Sequence, residues 1–387
     1  MATTLVSGVQ YSGIWTMQQV NAAIAASTWP VAPNPPIAAG LASWGSNSVG
    51  QLGLGDTLSR SSPSQVGSLV NWLDLASGRF HSISVKTDGT LWTWGSNSVG
   101  QLGLGNTTNY SSPKQVGALT AWLTIAGGYY HTIAVKTDGT LWTWGQNGSG
   151  QLGLGDTSAR SSPVQVGGLT TWSTVAGGDE STAAIKTDGT LWTWGYNAQG
   201  QLGLGNTVNR SSPVQVGALT NWSMVTMGKY STVSVKTDGT VWSWGYNIVG
   251  QLGLGNTTYY SSPKQIGALT NWLIVSSGGY HTSSVKTNGQ LWSWGFNNSG
   301  QLGDGTNVVK SSPVQIGSLT TWYKVDNGTT FGVALKTDGT FWSWGSNGSG
   351  QLGLSNTTVY SSPKQVGTVT TWSKLSAGNT NVLAILT

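Results

Sequence analysis

The residue types able to do chemistry are few, and most recur at fixed intervals. Three histidines, His81, His131 and His281, share one phase of a repeating pattern. Zinc needs three or four converging ligands, and histidines placed once each in well-separated repeat units do not converge. Asp179 and Glu180 are adjacent, but no second acidic cluster faces them. The paired carboxylates of a glycosidase, a nucleophile elbow and a Ser-His-Asp triad are all missing. Gly-Gln-Leu-Gly-Leu-Gly segments such as 100–105 invite comparison with phosphate cradles, yet they lack the Lys-Ser/Thr and the following helix of a P-loop. There is no Cys, which removes disulfides and thiolate metal sites. The expectation is a protein that is not an enzyme and that uses neither metal nor cofactor.

The elements that carry these residues follow from composition and period. Only 7% of the 387 residues are charged, against roughly 25% in an ordinary domain. That excludes a charged disordered tail, a coiled coil and a polybasic arm. The net charge of +5 is a small excess on a sparsely charged chain, so no nucleic-acid partner is expected. No apolar run approaches the ~18 residues of a membrane helix. The first residues lack a basic start followed by an apolar stretch, so no secretory signal is expected.

Trp-Gly recurs at Trp44, Trp94, Trp144, Trp194, Trp244, Trp294 and Trp344, every 50 residues. Pro63 and its six equivalents keep the same step, while Pro30, Pro33, Pro35 and Pro36 cluster ahead of the first unit as a stiff linker. The chain therefore divides into residues 1–36 and a repeat array, 37–387. In one unit the pattern predicts strands over 123–126, 132–136, 141–144 and 165–169, with Thr137-Asp138-Gly139 as a tight turn. Four short strands per 50-residue period describe a β-propeller blade. The fold class is all-β, a seven-bladed propeller of four-stranded blades. Its closing blade is expected to combine two C-terminal strands, from Trp372 onward, with two N-terminal ones at 41–44 and 65–69, which hides the sheet edges.

The stretch GYYHTIAVKTDGTLWTWGQNGSGQLGLG resembles the regulator-of-chromosome-condensation repeat: Gly, His-Thr, Asp-Gly, an aromatic before Trp-Gly, then Gly-Gln-Leu-Gly-Leu-Gly. The likeness covers all seven units. It implies the seven-bladed propeller with the split closing blade and says little about function, because one fold hosts many tasks.

Twenty of the 22 Trp occupy three repeat phases, those of Trp72, Trp92 and Trp44. A residue demanded in every unit reads as packing, and Trp142 and Trp144, two apart, are expected to fill the space against the next blade. Lys86 and its equivalents are expected to cap a hairpin in an exposed pair with the nearby Asp. Each unit also keeps one cation near Ser-Ser-Pro, giving a basic rim of Arg60, Lys114, Arg160, Arg210, Lys264, Lys310 and Lys364. Sequence freedom is concentrated in the turn between the first two strands. The residues there are Arg79, Phe80 and His81; Tyr129, Tyr130 and His131; Asp179 and Glu180; Lys229 and Tyr230; Tyr280 and His281; Phe331; and Asn379 and Asn381. Varied, aromatic-rich tips on a rigid frame are how scaffolds present partner-binding loops.

Residues 14–27 can form a short amphipathic helix with Trp15, Val20 and Ile24 to one side, followed by Trp29; alone it is marginal. The wording YSGIWTMQQVNAAIAASTWP resembles leading segments of tailed-bacteriophage virion proteins. That likeness implies an anchor: a virion accessory (fibre, spike or decoration protein) joined to virion proteins through 1–36. Its propeller would meet a host-surface glycan or protein, or a neighbouring virion subunit. Two alternatives stand beside it, with cytoplasmic or extracellular locations. One is a soluble regulator of a small GTPase or a chromatin-binding propeller, although the even spacing leaves no room for the wedge such exchange factors insert. The other is a bacterial lectin-like adhesin.

Overall fold

A computed structural model describes residues 40–387. The expected anchor residues Trp15, Val20, Ile24 and Trp29 lie outside the described residues. Among the described residues, twenty-eight strands, β1 to β28 in chain order, form seven four-stranded antiparallel sheets. Six sheets are consecutive in sequence; blade one, for example, is β3 (Trp72–Ser77), β4 (His81–Lys86), β5 (Leu91–Gly95) and β6 (Tyr110–Gln115). Blade seven combines β27 (Trp372–Ala377) and β28 (Asn381–Leu386) with β1 (Gly40–Gly45) and β2 (Arg60–Gln65). β1 pairs with β28 along its whole length, from Gly40 opposite Leu386 to Gly45 opposite Asn381. The first strand of each blade touches its two counterparts, so these seven strands form the hub.

The fourth strand differs from expectation. It is Arg160–Gln165 in blade two rather than 165–169, and it runs through Ser-Ser-Pro. Pro163 is tolerated because this strand is the outer edge of its sheet, where one side needs no backbone donor. A register irregularity between Arg160 and Val164 accommodates it.

The core lies between blades. Trp144 is fully buried, and with Trp122 and Ile125 it packs on Ile83, Val85, Leu91 and Val116 of blade one. Trp142 reaches the same cluster. These tryptophans therefore face the preceding blade, not the next one. Burying 150–250 Å² per aromatic is worth about 4–6 kcal/mol of gross transfer free energy, repeated at each junction. Hydrogen bonds fix the geometry. The Gln101 carbonyl accepts from Trp144 Nε1 at 3.0 Å and from Thr132 Oγ1 at 2.7 Å, both in blade two. The same contact closes the ring, Trp44 Nε1 donating to the Gln351 carbonyl at 3.1 Å. Gly103 of the Gly-Gln-Leu-Gly segment lies against that indole: a Cβ there would stand 2.7 Å from Trp144 Nε1.

The repeated lysine is not an exposed partner of its aspartate. Lys86 is only 5% exposed, with its ammonium 3.7 Å from the Trp92 ring centroid and 4.9 Å from that of Trp72. Burial pushes its pKa down. Asp88 instead accepts from the Thr90 hydroxyl and backbone N–H, ordering the turn. Blade seven supports the cation–π reading: where Ala42 replaces the second Trp, Leu386 replaces the Lys.

Replacing Gly153, which lies against Trp194 in the same way and has φ of +73°, by Ala is expected to cost about 2–3 kcal/mol, combining overpacking with a strained φ. Gly167→Ala, at φ +59° with open space around it, should cost only the left-handed penalty of about 1–2 kcal/mol. Urea midpoints compare them; equal losses would remove the indole contact as the cause.

Candidate partner-binding face

Register sets which loops share a face. His81 pairs with Gly95, and Gly95 pairs with Tyr110. The 78–80 tip and the long 96–109 loop therefore leave the sheet at one end, the loop face; the Thr-Asp-Gly turns leave at the other, the turn face. Asn147 orders its long loop from within. Its Oδ1 accepts from the Leu152 N–H at 2.9 Å, and its Nδ2 donates to the Asp156 and Ser158 carbonyls at 3.0 Å each. The loops are thus rigid supports for the tips.

The predicted tip residues separate into two groups. Arg79, Phe80, Tyr129, Tyr130, Asp179, Glu180, Lys229, Tyr230, Tyr280 and Asn379 are half-buried on the loop face. His81, His131, His281, Phe331 and Asn381 are not at the tips: each opens its second strand and is at most 1% exposed. They are wedges between blades. His131 Nε2 meets Thr182 Oγ1 of blade three at 3.0 Å, and a Cβ on Gly128 would stand 2.0 Å from His131 Cε1. Glycine at that position makes room for the wedge.

Around the hub the tips form an arc. The Arg79 guanidinium stacks 3.7 Å from the Tyr129 ring centroid and 5.0 Å from that of Phe80. Phe80 packs on Tyr129 and Tyr130, whose own rings are 4.4 Å apart. Next comes Asp179, whose carboxyl is pushed up to about 7 by burial, an effect opposed by Lys229 and Arg79. Ser149 Oγ donates to Glu180 Oε2 at 2.8 Å. Lys229 follows, 5.5 Å from the Tyr230 ring and 5.3 Å from the Tyr280 ring. A hydrogen bond with Tyr280 leads the causes that raise its pKa. Of these, Arg79, Tyr129, Asp179, Lys229 and Tyr280 line a hub cavity of about 170 Å³. Blades six and seven contribute Thr329, Thr330, Asn379 and Thr380, all small and polar, with a hydrogen bond from Thr329 Oγ1 to Asn379 Oδ1.

Sequence reasoning missed a second variable position, the residue after Trp-Gly. It is Ser46, Ser96, Gln146, Tyr196, Tyr246, Phe296 and Ser346 in turn. Its N–H bonds back to the tip, as Tyr196 N does to the Glu180 carbonyl at 2.9 Å. Tyr196 packs on Tyr230, and Tyr246 packs on Tyr230, Tyr259 and Tyr280. The usable signal was variation inside an otherwise fixed W-G-x-N motif.

The basic rim is largely satisfied internally. Arg60 pairs with Asp56 at 2.6 Å, Arg160 with Asp156 at 2.5 Å, and Lys310 with Asp304 at 3.8 Å. Lys114, Lys264 and Lys364 lie 5.4–5.6 Å from the rings of Tyr110, Tyr260 and Tyr360. Arg210 has Asn206 where Arg60 and Arg160 have Asp. Among the described residues no group of three or more His, Asp or Glu is placed to hold a metal ion.

A closed ring of seven four-stranded blades defines the molecule as a β-propeller, with tips on one face that vary from blade to blade. The regulator of chromosome condensation (RCC1) repeat model matches seven times, at 41–85, 88–135, 138–185, 188–235, 238–285, 288–335 and 338–385, and the chain belongs to that repeat family. Among solved structures, Prp20p from Saccharomyces cerevisiae superposes with a TM-score of 0.81 at 19% identity, over 90% of this chain and 92% of that one. Human WBSCR16 gives 0.81 at 20% identity, over 90% and 99%. Yeast RCC1 (Prp20) from its complex with Kap60 gives 0.81 at 18%, over 100% and 97%. At such identity these likenesses speak for the fold. No curated protein sequence matches the chain.

Two groups of titrating residues set opposite pH dependences. Burial drives His81 and His131 down to about 3 and His281 to about 4, from an ordinary 6.5. The unfolded chain binds those protons first, so their contribution is complete above pH 6.5 and is lost as pH falls toward 3–4, at up to about 1.4 kcal/mol per pH unit per site. Asp179 is raised from 3.8, so its contribution falls as pH rises from about 4 to 7. Melting temperatures between pH 4 and 8 should therefore show a flatter acid limb for His131→Ser, the residue at this phase in blades three and four. Asp179→Asn should show a gain that grows between pH 4 and pH 7, at no more than about 1.4 kcal/mol per pH unit, and none at pH 4. Unchanged acid limbs would mean the histidines are not buried.

Proposed function

We propose that this protein is a non-catalytic binding propeller that holds a protein partner on its loop face. The carrying observation is asymmetry. Seven equivalent positions on a repeating frame bear large aromatic and charged groups in blades one to five, and small polar ones in blades six and seven. Packing demands the same residue in every blade; these residues differ from blade to blade. Tyrosines beside paired charges supply apolar area with polar handles, the composition of protein-contact surfaces.

Family membership supports this reading over a virion accessory. The Prp20p structure is described together with that protein's binding to Gsp1p and histones, and the other yeast structure is a complex with Kap60. A regulatory protein partner is accordingly the favoured class. The virion reading rests on residues 1–36, outside the described residues, and nothing described favours it.

Capture from an extract of the native source tests the reading. Tyr230→Ala/Tyr246→Ala/Tyr280→Ala should lose the co-purifying protein by about tenfold or more, as hot-spot truncation does. Leu123→Ala/Tyr323→Ala, exposed on the turn face, should retain it. Undiminished capture by the loop-face variant, with loss by the turn-face one, would move the site to the opposite end.

A further inference from the structure

The central channel departs from the repeat on one wall. At the third position of the hub strands the residues are Asp74, Thr124, Thr174, Met224, Ile274, Lys324 and Lys374. Four are neutral, and the three charged ones are contributed by the consecutive blades six, seven and one. The two lysines are neighbours that share one carboxylate. Lys374 Nζ lies 2.8 Å from Asp74 Oδ1, with side chains 34% and 31% exposed. Lys324 makes no ion pair among the described residues; its Nζ reaches the Ser373 carbonyl at 3.5 Å and lies 5.5 Å from the Tyr323 ring centroid. Thr124 makes the equivalent contact to Ser173, so the fold does not need an ammonium there.

The next carboxylate along the strand cannot serve Lys324. Asp326 accepts from Ser276 Oγ at 2.6 Å, from the Asn327 N–H at 2.9 Å and from the Ala377 N–H at 2.8 Å, tying blades five, six and seven together. Lys324 has no carboxylate of its own, only the field of Asp74, which Lys374 already holds, and it lines a channel cavity of about 460 Å³ together with Met224, Ile274 and the engaged Asp326. Burial is the main cause lowering its pKa, with the Lys374 charge second. Asp74 is held by Lys374 and Asp326 by three hydrogen-bond donors, so neither carboxylate pairs directly with Lys324. An anion between the two ammonium groups relieves both the repulsion and the desolvation. The entrance lies toward the turn face, where the neighbouring Tyr323 is 51% exposed. At the other end the hub backbones close in: a Cβ on Gly127 would stand 2.5 Å from Gly78 N.

We propose that the turn-face end of the channel binds a small oxyanion, a carboxylate or a phosphate, on Lys324 and Lys374. The carboxylate or phosphate oxygens accept from the two ammonium groups, and the remainder of an organic anion lies toward Met224 and Ile274. This site is separate from the loop face and does not depend on the partner reading.

Calorimetric titration of the full chain at low ionic strength, with inorganic phosphate and acetate in separate arms, tests it. Wild type should bind at least one saturably, and the stronger arm identifies the oxyanion. Lys324→Thr, the residue of blades two and three at this position, should weaken binding by about tenfold or more. Lys324→Arg should stay within about threefold. Lys114→Met on the outer edge should match wild type. Thermal melts in the same anions provide a second readout, since general salt stabilisation moves wild type and Lys324→Thr alike while a bound anion favours wild type. The proposal fails if Lys324→Thr binds as wild type does, or if neither anion gives saturable heat up to ~10 mM, beyond ordinary weak sites.

Discussion

The structure depends on one carbonyl per blade. The Gln101 oxygen accepts from an indole and a hydroxyl of the following blade; the indole bond recurs at all seven junctions, and the hydroxyl at five, with Gly332 and Val382 in its place in blades six and seven. A buried carbonyl with two donors satisfies a polar group that would otherwise be costly between apolar sheets. It also fixes how deeply each Trp enters the preceding blade. That depth forces Gly at position 103 and its equivalents, where any side chain would strike the indole. The Gly-Gln-Leu-Gly segment, the Trp-Gly dipeptide and the hydroxyl after the wedge residue are thus parts of one joint. The last joint keeps the indole bond, Trp44 to the Gln351 carbonyl, with Val382 in place of the hydroxyl, so ring closure rests on the Trp contact and the shared blade.

Much of this was legible because packing repeats. The 50-residue step, the tight turns and the shared closing blade all follow from positions that every blade must fill alike. The fourth strand was harder to read: Ser-Ser-Pro carries a loop signature, yet an outer edge strand accepts Pro on its unpaired side. The histidines misled for a related reason. They sit one residue beyond the variable tip, and sequence alone cannot say where a turn ends and a strand begins. His131 already belongs to the strand, wedged against Thr182. The lysines looked paired with Asp because both lie in one turn, while the partner that matters is Trp on the adjacent strand.

Paired departures show what a repeated residue is for. Lys and the second Trp vanish together in blade seven, as Leu386 and Ala42, which ties the cation to the ring. On the rim, Asp56 and Asp156 accompany Arg60 and Arg160, while Asn106, Asn256 and Asn356 accompany Tyr110, Tyr260 and Tyr360. The charged pair is made where both members are chargeable, and the amide reaches the phenol oxygen where they are not. Except at Arg210, which faces Asn206, such positions are internally solved: each change is matched by its neighbour. The rim that looked basic in sequence is for this reason a weak candidate surface.

Departures without a matching change are different in kind. Tyr196, Tyr246 and Phe296 replace Ser or Gln at a position whose backbone bond to the tip is the same in every blade. The frame does not ask for a ring there, since Ser and Gln make the same backbone bond in the other blades. Lys324 likewise replaces Thr where a hydroxyl already makes the same contact. In a protein whose blades are copies, the physical account of function begins with such residues. For every position the other six blades serve as internal controls, and a group that most of them do without is retained for something outside the frame.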